Sequence, residues 1–218
     1  MVQIRKAEVD PSKLNRKLTL PYQLRIADFQ MAMQDIYDFF FDVNTYLLEN
    51  GLQRLDDMLR PANLSGTLSD MLTDAVAKHS RTLIPNLYHN GHPDLIVRDR
   101  YPNNMVKAGE GVEIKSTRRP GGAVDTHGAR NQTLCTFVYE VDNDRSKAAH
   151  DRDPLMFREA YIAHVSEADF RRNPRSELGT RTATLDAAGI ARYRESWVYL
   201  DLANTTTQRK RAGIGWRG

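Results

Sequence analysis

Three side chains suited to metal and proton chemistry lie close together in the stretch "HPDLIVRDRYPNNMVKAGEGVEIKST", which spans residues 92–117. Asp94 precedes one apolar run, and Glu113 and Lys115 alternate with apolar residues in the next. Two converging carboxylates repel each other unless a hard cation lies between them, and Mg2+ takes oxygen ligands and keeps several waters. Such a cation polarises a phosphodiester oxygen, and an ammonium group beside it offsets developing negative charge. The stretch therefore predicts a metal-dependent phosphodiesterase site.

The placement of these side chains follows from strand geometry. In "VEIK" the period of two sends Glu113 and Lys115 to one face and Val112 and Ile114 to the other. Asp94 stands where the "DLIV" strand begins, and we expect the two strands to pair. A charged surface hairpin without chemistry is the alternative interpretation.

The elements around this stretch begin with a long amphipathic helix. Its apolar residues recur at spacings of three and four as far as the stop signal Asn50-Gly51; they are Ile26, Phe29, Met33, Ile36, Phe40, Val43 and Leu47. Further apolar surface on a neighbouring face predicts burial on two sides. This helix packs either inside its own domain or in a dimer interface.

The remaining pattern predicts an α/β (α+β) fold with a central mixed β-sheet flanked by helices. We expect a short helix over 52–59 and another that starts near the caps Ser65 or Thr67. The strands "DLIV", "GVEIKS", "LCTFVYEV" and "EAYIAHV" follow, then a helix in "LDAAGIARYRES" and a strand in "WVYLDL". Cys135 is predicted to be a small core residue, and "HNGH", with His89 and His92, is predicted to be a turn.

The pair Pro93-Asp94, followed by "EIK" at residues 113–115, resembles the PD-(D/E)XK nuclease superfamily, and within it most closely the type II restriction endonucleases. The resemblance implies that Asp94 and Glu113 bind Mg2+, that the backbone carbonyl of Ile114 completes the metal site, and that Lys115 assists the attacking water. The motif and the order of elements match over about residues 66–142.

The length of the chain suits a single domain over 1–218. We expect an N-terminal helical part at 1–65 that could mediate dimerisation, a core at 66–202 that the resemblance implies is restriction-endonuclease-like, and a basic tail at 203–218. In this family the helix before the first motif strand sometimes supplies an additional acid, for which Asp70 and Asp74 are the candidates.

The positive charge of the chain is concentrated away from the N-terminal helices. The net charge is +3, yet residues 26–80 hold nine acidic side chains and three basic ones. A polyanionic partner is therefore expected. Because Arg pairs with phosphate or guanine and Asn and Gln read adenine, the loop after Lys115 is the predicted DNA contact region, with the tail as a second one. The candidates are Arg118, Arg119, His127, Arg130, Asn131, Gln132, Arg209, Lys210 and Arg211. The alternative for both segments is simple solvation.

These observations favour a type II restriction endonuclease that cleaves a short, specific double-stranded DNA site with Mg2+. A palindromic site predicts a homodimer, and a cognate DNA methyltransferase is expected in the same system. The alternatives are a repair or recombination nuclease of the same superfamily and a non-catalytic DNA-binding module that retains the nuclease core. No apolar run is long enough for a membrane helix and no secretory signal is recognisable, so we expect a cytoplasmic protein.

Overall fold

A six-stranded mixed sheet forms the centre of the computed structural model, which describes residues 4–122, 124–126, 128–172 and 182–201. The strands are β1 (Leu83–Pro85), β2 (Leu95–Val97), β3 (Gly111–Thr117), β4 (Asp125–Thr126), β5 (Gln132–Glu140), β6 (Met156–Val165), β7 (Phe170–Arg172), β8 (Ala183–Leu185) and β9 (Trp197–Leu200). The helices are α1 (Ile26–Glu49), α2 (Leu55–Met58), α3 (Pro61–His79) and α4 (Ala187–Glu195).

The main sheet has the order β1-β2-β3-β5-β6-β9, and a smaller sheet has the order β4-β8-β7. Among these described strands, β3 and β5 run parallel and the other neighbours run antiparallel. The predicted class, a mixed sheet flanked by helices, is confirmed.

Helix α1 packs on the sheet of its own chain. The rings of Phe29 and Phe137 stack with centroids 5.9 Å apart, and Tyr37 stacks on Phe157 at 5.4 Å. The Tyr37 hydroxyl also accepts a hydrogen bond from the backbone N–H of Phe157 at 2.7 Å. The predicted helix is thus confirmed, and its main apolar face is buried within the domain.

Helix α3 begins earlier than predicted. Its first residue is Pro61, rather than a residue after the caps Ser65 or Thr67. Proline suits the first helical position because its missing N–H would have no partner there. The short helix predicted over 52–59 shrinks to the single turn of α2.

Contacts between α3 and β3 decide which face of the sheet the polar strand residues occupy. The Ser116 hydroxyl donates to the Ser65 carbonyl at 2.8 Å, and the Ser116 N–H donates to the Ser69 hydroxyl at 3.0 Å. Ser116 shares its face with Val112 and Ile114, which are fully buried in the core beneath the helices. By alternation, Glu113 and Lys115 lie on the opposite face.

That opposite face is partly covered by α4 and the small sheet. The Asp186 side chain caps α4 by accepting a hydrogen bond from the Gly189 N–H at 2.7 Å. On the buried side of α4, the Tyr193 hydroxyl lies 3.1 Å from the Leu134 carbonyl and 3.0 Å from Thr136 Oγ1. Helix α4 is therefore fixed over β5, beside the strand that carries Glu113.

The segment before α1 joins the last described strand. Leu14 forms a β-bridge with Tyr199, and the Asn15 N–H donates to the Val198 carbonyl at 2.9 Å. Lys13 Nζ lies 2.6 Å from Asp201 Oδ1. The edge strand β9 is thus bound to residues from the opposite end of the described chain.

Two smaller expectations also have an outcome. Cys135 is a buried core residue, as predicted, and burial raises the pKa of its thiol well above the ordinary value. Within the described ranges, no helix combines the length and apolar character needed to cross a bilayer.

Candidate active site

Asp94 is held opposite Glu113 by the pairing of β2 with β3. The two strands are antiparallel, with Leu95 opposite Val112. The carboxylate of Asp94 accepts a hydrogen bond from the Ile114 N–H, with Oδ2 2.8 Å from the nitrogen. This bond ties the start of β2 to the middle of β3, so the expected strand pairing is confirmed.

Lys115 lies against both carboxylates. Its Nζ is 2.5 Å from Glu113 Oε1 and 3.8 Å from Asp94 Oδ2. The positive charge that relieves the repulsion between the two acids in this structure is therefore the lysine ammonium. The structure brings together all three residues that the sequence predicted to form the site.

His92 is a fourth polar group at this site, and the sequence did not predict it. Its Nδ1 lies 2.7 Å from Glu113 Oε2, although "HNGH" was interpreted only as a turn. Oε2 is buried, and the imidazole lies at ion-pair distance from it. His92 precedes the start of β2, so no strand periodicity in the sequence marked it as a residue of the site.

Asn86 fixes the backbone on which His92 and Asp94 lie. Its N–H donates to the Asp94 carbonyl at 2.8 Å, and its side-chain amide donates to the Pro93 carbonyl at 3.0 Å and the Val106 carbonyl at 2.8 Å. The His92-Pro93 peptide bond is cis. Through these hydrogen bonds Asn86 holds Pro93 and Asp94 against the chain at Val106, and this role was not predicted from the sequence.

The environment shifts the pKa values of the two carboxyl groups in opposite directions. Burial raises the pKa of Asp94 to about 6, helped by the negative charge of Glu113 and opposed by Lys115. Burial also acts to raise the pKa of Glu113, but contacts with His92 and Lys115 outweigh it and hold that pKa at about 2. Asp94 is therefore the carboxyl group that more readily keeps a proton.

The pKa of the Lys115 ammonium is raised. Burial would lower it, but the charges of Glu113 and Asp94 outweigh burial, with a smaller contribution from Asp70. Asp70 and Asp74 are both exposed on α3. Of these two candidates for the additional acid, Asp70 is thus the one whose charge acts on Lys115.

The donor groups fit a cation that needs few protein ligands. Two carboxylates converge here, and the Lys115 ammonium shows that the space between Glu113 Oε1 and Asp94 Oδ2 accepts a positive charge. In the described part of the chain, no group of three or more His, Cys, Asp or Glu side chains is arranged to hold a metal ion. Mg2+ binds through one or two carboxylates and keeps several waters, so this set suits Mg2+ better than a fully protein-ligated metal.

The residues predicted to contact DNA differ in how far they are exposed to solvent. Arg118, Arg119 and Asn131 are exposed, and Arg119 lies 3.8 Å from Asp125. Arg130 is half-buried. Gln132 was predicted to lie in a loop, and this prediction is wrong. It is the first residue of β5, opposite Val165, and it is 7% exposed. The other candidates, His127, Arg209, Lys210 and Arg211, lie outside the described residues.

Comparisons with protein-family models, with curated proteins and with solved structures found no match for this chain.

Proposed function

We propose that this protein is a Mg2+-dependent deoxyribonuclease that cleaves double-stranded DNA at a short specific sequence, in the manner of a type II restriction endonuclease. The supporting observation is the convergence of Asp94, Glu113 and Lys115 on one face of adjacent strands. A surface hairpin would leave such side chains in water, whereas here Glu113 is 7% exposed. Charged groups are seldom buried unless they are paired or functional.

Each residue has a distinct role in this proposal. Asp94, Glu113 and the backbone carbonyl of Ile114 would hold Mg2+, which when bound polarises a phosphodiester oxygen and acidifies water. The Lys115 ammonium donates hydrogen bonds that orient the attacking water and offset charge on the phosphate. The water oxygen bonds to phosphorus and the P–O3′ bond breaks, which leaves a 5′-phosphate and a 3′-hydroxyl.

The proposed partner is duplex DNA, with phosphate contacts from the exposed arginines after β3. A palindromic site is most simply read by a two-fold dimer, and α1 leaves Met31, Phe39 and Tyr46 exposed on its outer surface. We therefore propose a homodimer. The proposal also includes a cytoplasmic location and a cognate methyltransferase that protects the host DNA.

A digest of unmodified plasmid in Mg2+, followed by sequencing of the fragment ends, tests the proposed function. We expect discrete fragments whose ends share one short sequence. Cleavage confined to branched or mismatched DNA would instead identify a repair or recombination nuclease. DNA binding without cleavage in any divalent cation would identify a non-catalytic module.

Alanine variants test the individual roles. Asp94→Ala and Glu113→Ala should abolish cleavage and keep DNA binding, because each removes a negative charge near phosphate. Lys115→Ala should also stop cleavage but weaken DNA binding. Matched controls are Glu110→Ala and Lys107→Ala, which change exposed residues of the same segment and should cleave normally. A folded Asp94→Ala protein that still cuts would remove the site assignment.

A further inference from the structure

The two oxygens of the Glu113 carboxylate have different neighbours. Oε1 faces Lys115 Nζ at 2.5 Å, and Oε2 faces the Nδ1 atom of His92 at 2.7 Å. The His92 side chain is 17% exposed, so its ring is largely enclosed beside the carboxylate. Any ligand that approaches Glu113 must therefore displace one of these two groups or share an oxygen with it.

The two neighbours differ in how firmly they are held. Lys115 has a four-carbon stem that allows its ammonium to move aside. The backbone of His92 is fixed on both sides, since its N–H donates to the Lys107 carbonyl and its carbonyl accepts from the Gly109 N–H, both at 3.0 Å. At Gly91 an added Cβ would lie 2.6 Å from both Asn86 Nδ2 and the Val106 carbonyl, so the adjoining chain packs too closely for a side chain.

We infer that His92 is a positioning residue for Glu113: its Nδ1 fixes Oε2, so that Oε1 faces the cation when the Lys115 ammonium moves towards the substrate. This inference rests on the proposed function, because the cation is the Mg2+ of that reaction. Groups that orient a metal-binding carboxylate contribute strongly to metal affinity; losing one typically weakens binding 10- to 100-fold.

Substitutions of His92 distinguish the roles of its two ring nitrogens. Asparagine places an amide N–H close to the position of Nδ1, whereas glutamine places one close to the position of Nε2. Mn2+ alone is the probe, and electron paramagnetic resonance measures the free ion. We expect His92→Ala and His92→Gln to weaken Mn2+ binding by about 10- to 100-fold and His92→Asn to stay within about threefold of wild type. Mg2+-dependent cleavage should follow the same order.

His89→Asn is the matched control, because His89 lies in the same "HNGH" stretch but is exposed; it should bind Mn2+ like wild type. Circular dichroism melts show whether each variant folds, and the comparison of Asn with Gln remains decisive if the Ala variant does not. Wild-type affinity in His92→Ala, or rescue by Gln and not by Asn, would overturn the role of Nδ1. A wild-type protein that neither binds Mn2+ nor cuts DNA would overturn the proposed function as well.

Discussion

Replacing Asp94 with asparagine should make the metal-free protein more stable at neutral pH. The pKa of Asp94 is raised from 3.8 to about 6, so the folded protein holds a proton that the unfolded chain has already released between these values. The native state is therefore progressively destabilised as the pH rises from about 4 to about 6. Asparagine cannot ionise, and its side-chain oxygen can still accept the hydrogen bond from the Ile114 N–H.

The expected gain in stability follows from the shift in the pKa of Asp94. At about 1.4 kcal/mol for each tenfold change in the protonation equilibrium, the shift corresponds to about 3 kcal/mol. The Asp94 side chain is 31% exposed, and screening by water reduces the expected gain to about 1–2 kcal/mol. The difference in unfolding free energy between Asp94→Asn and wild type should thus grow by that amount between pH 4 and pH 7 and stay constant above it.

Urea unfolding followed by circular dichroism in EDTA, at a series of pH values from 4 to 8, measures this difference. Glu113→Gln is the control of opposite sign, since the pKa of Glu113 is lowered to about 2. The ionised form of Glu113 therefore stabilises the fold above pH 4.5, and that contribution is lost only as the pH falls through about 2. Glu113→Gln should thus be less stable than wild type by a nearly constant amount over this series. A pH-independent difference for Asp94→Asn, or a gain that shrinks as the pH rises, would refute the argument.

Three further predictions concern the rest of the molecule. Asp56→Ala should cost about 3–5 kcal/mol, because it leaves the buried guanidinium of Arg54 without its 2.8 Å partner; urea unfolding should show much of this loss recovered in the double variant with Arg54→Met. Tyr193→Phe should cost about 1–2 kcal/mol through the loss of a fully buried hydroxyl that bonds β5, and an unchanged thermal melt would contradict this. Replacing Arg118 and Arg119 together by alanine should reduce the slope of the log binding constant against log salt concentration by the amount expected for about two phosphate contacts. An unchanged slope would show that both side chains are only solvated.

Local patterns in the sequence predicted the fold where burial enforces a strict period. Helix α1 was predictable because its buried apolar residues, from Phe29 to Phe40, keep one face packed in the core. The start of α3 was not, because "RPANLSG" has the composition of a loop and the helical role of Pro61 depends only on its missing donor. The start of β5 was misplaced by two residues, since pairing with Val165 on β6 extends the strand back to Gln132.

The candidate site was predictable to the extent that its residues alternate along single strands. Glu113 and Lys115 share a face by period alone, and the pairing of the two apolar runs brings Asp94 to them. The contact of His92 with Glu113 depends on how residues 86–109 fold back on themselves. That loop geometry has no periodic signal, and so the imidazole was interpreted as part of a turn.

The β-bridge between Leu14 and Tyr199 determines how late in translation the sheet can be completed. Leu14 leaves the ribosome well before its partner strand β9, which is among the last described segments to be made. Contacts between residues so far apart in sequence form slowly and late. We therefore expect a nascent chain to keep one edge of its sheet unpaired until translation has passed Leu200, and a holdase chaperone that recognises exposed strand edges would bind it in that interval.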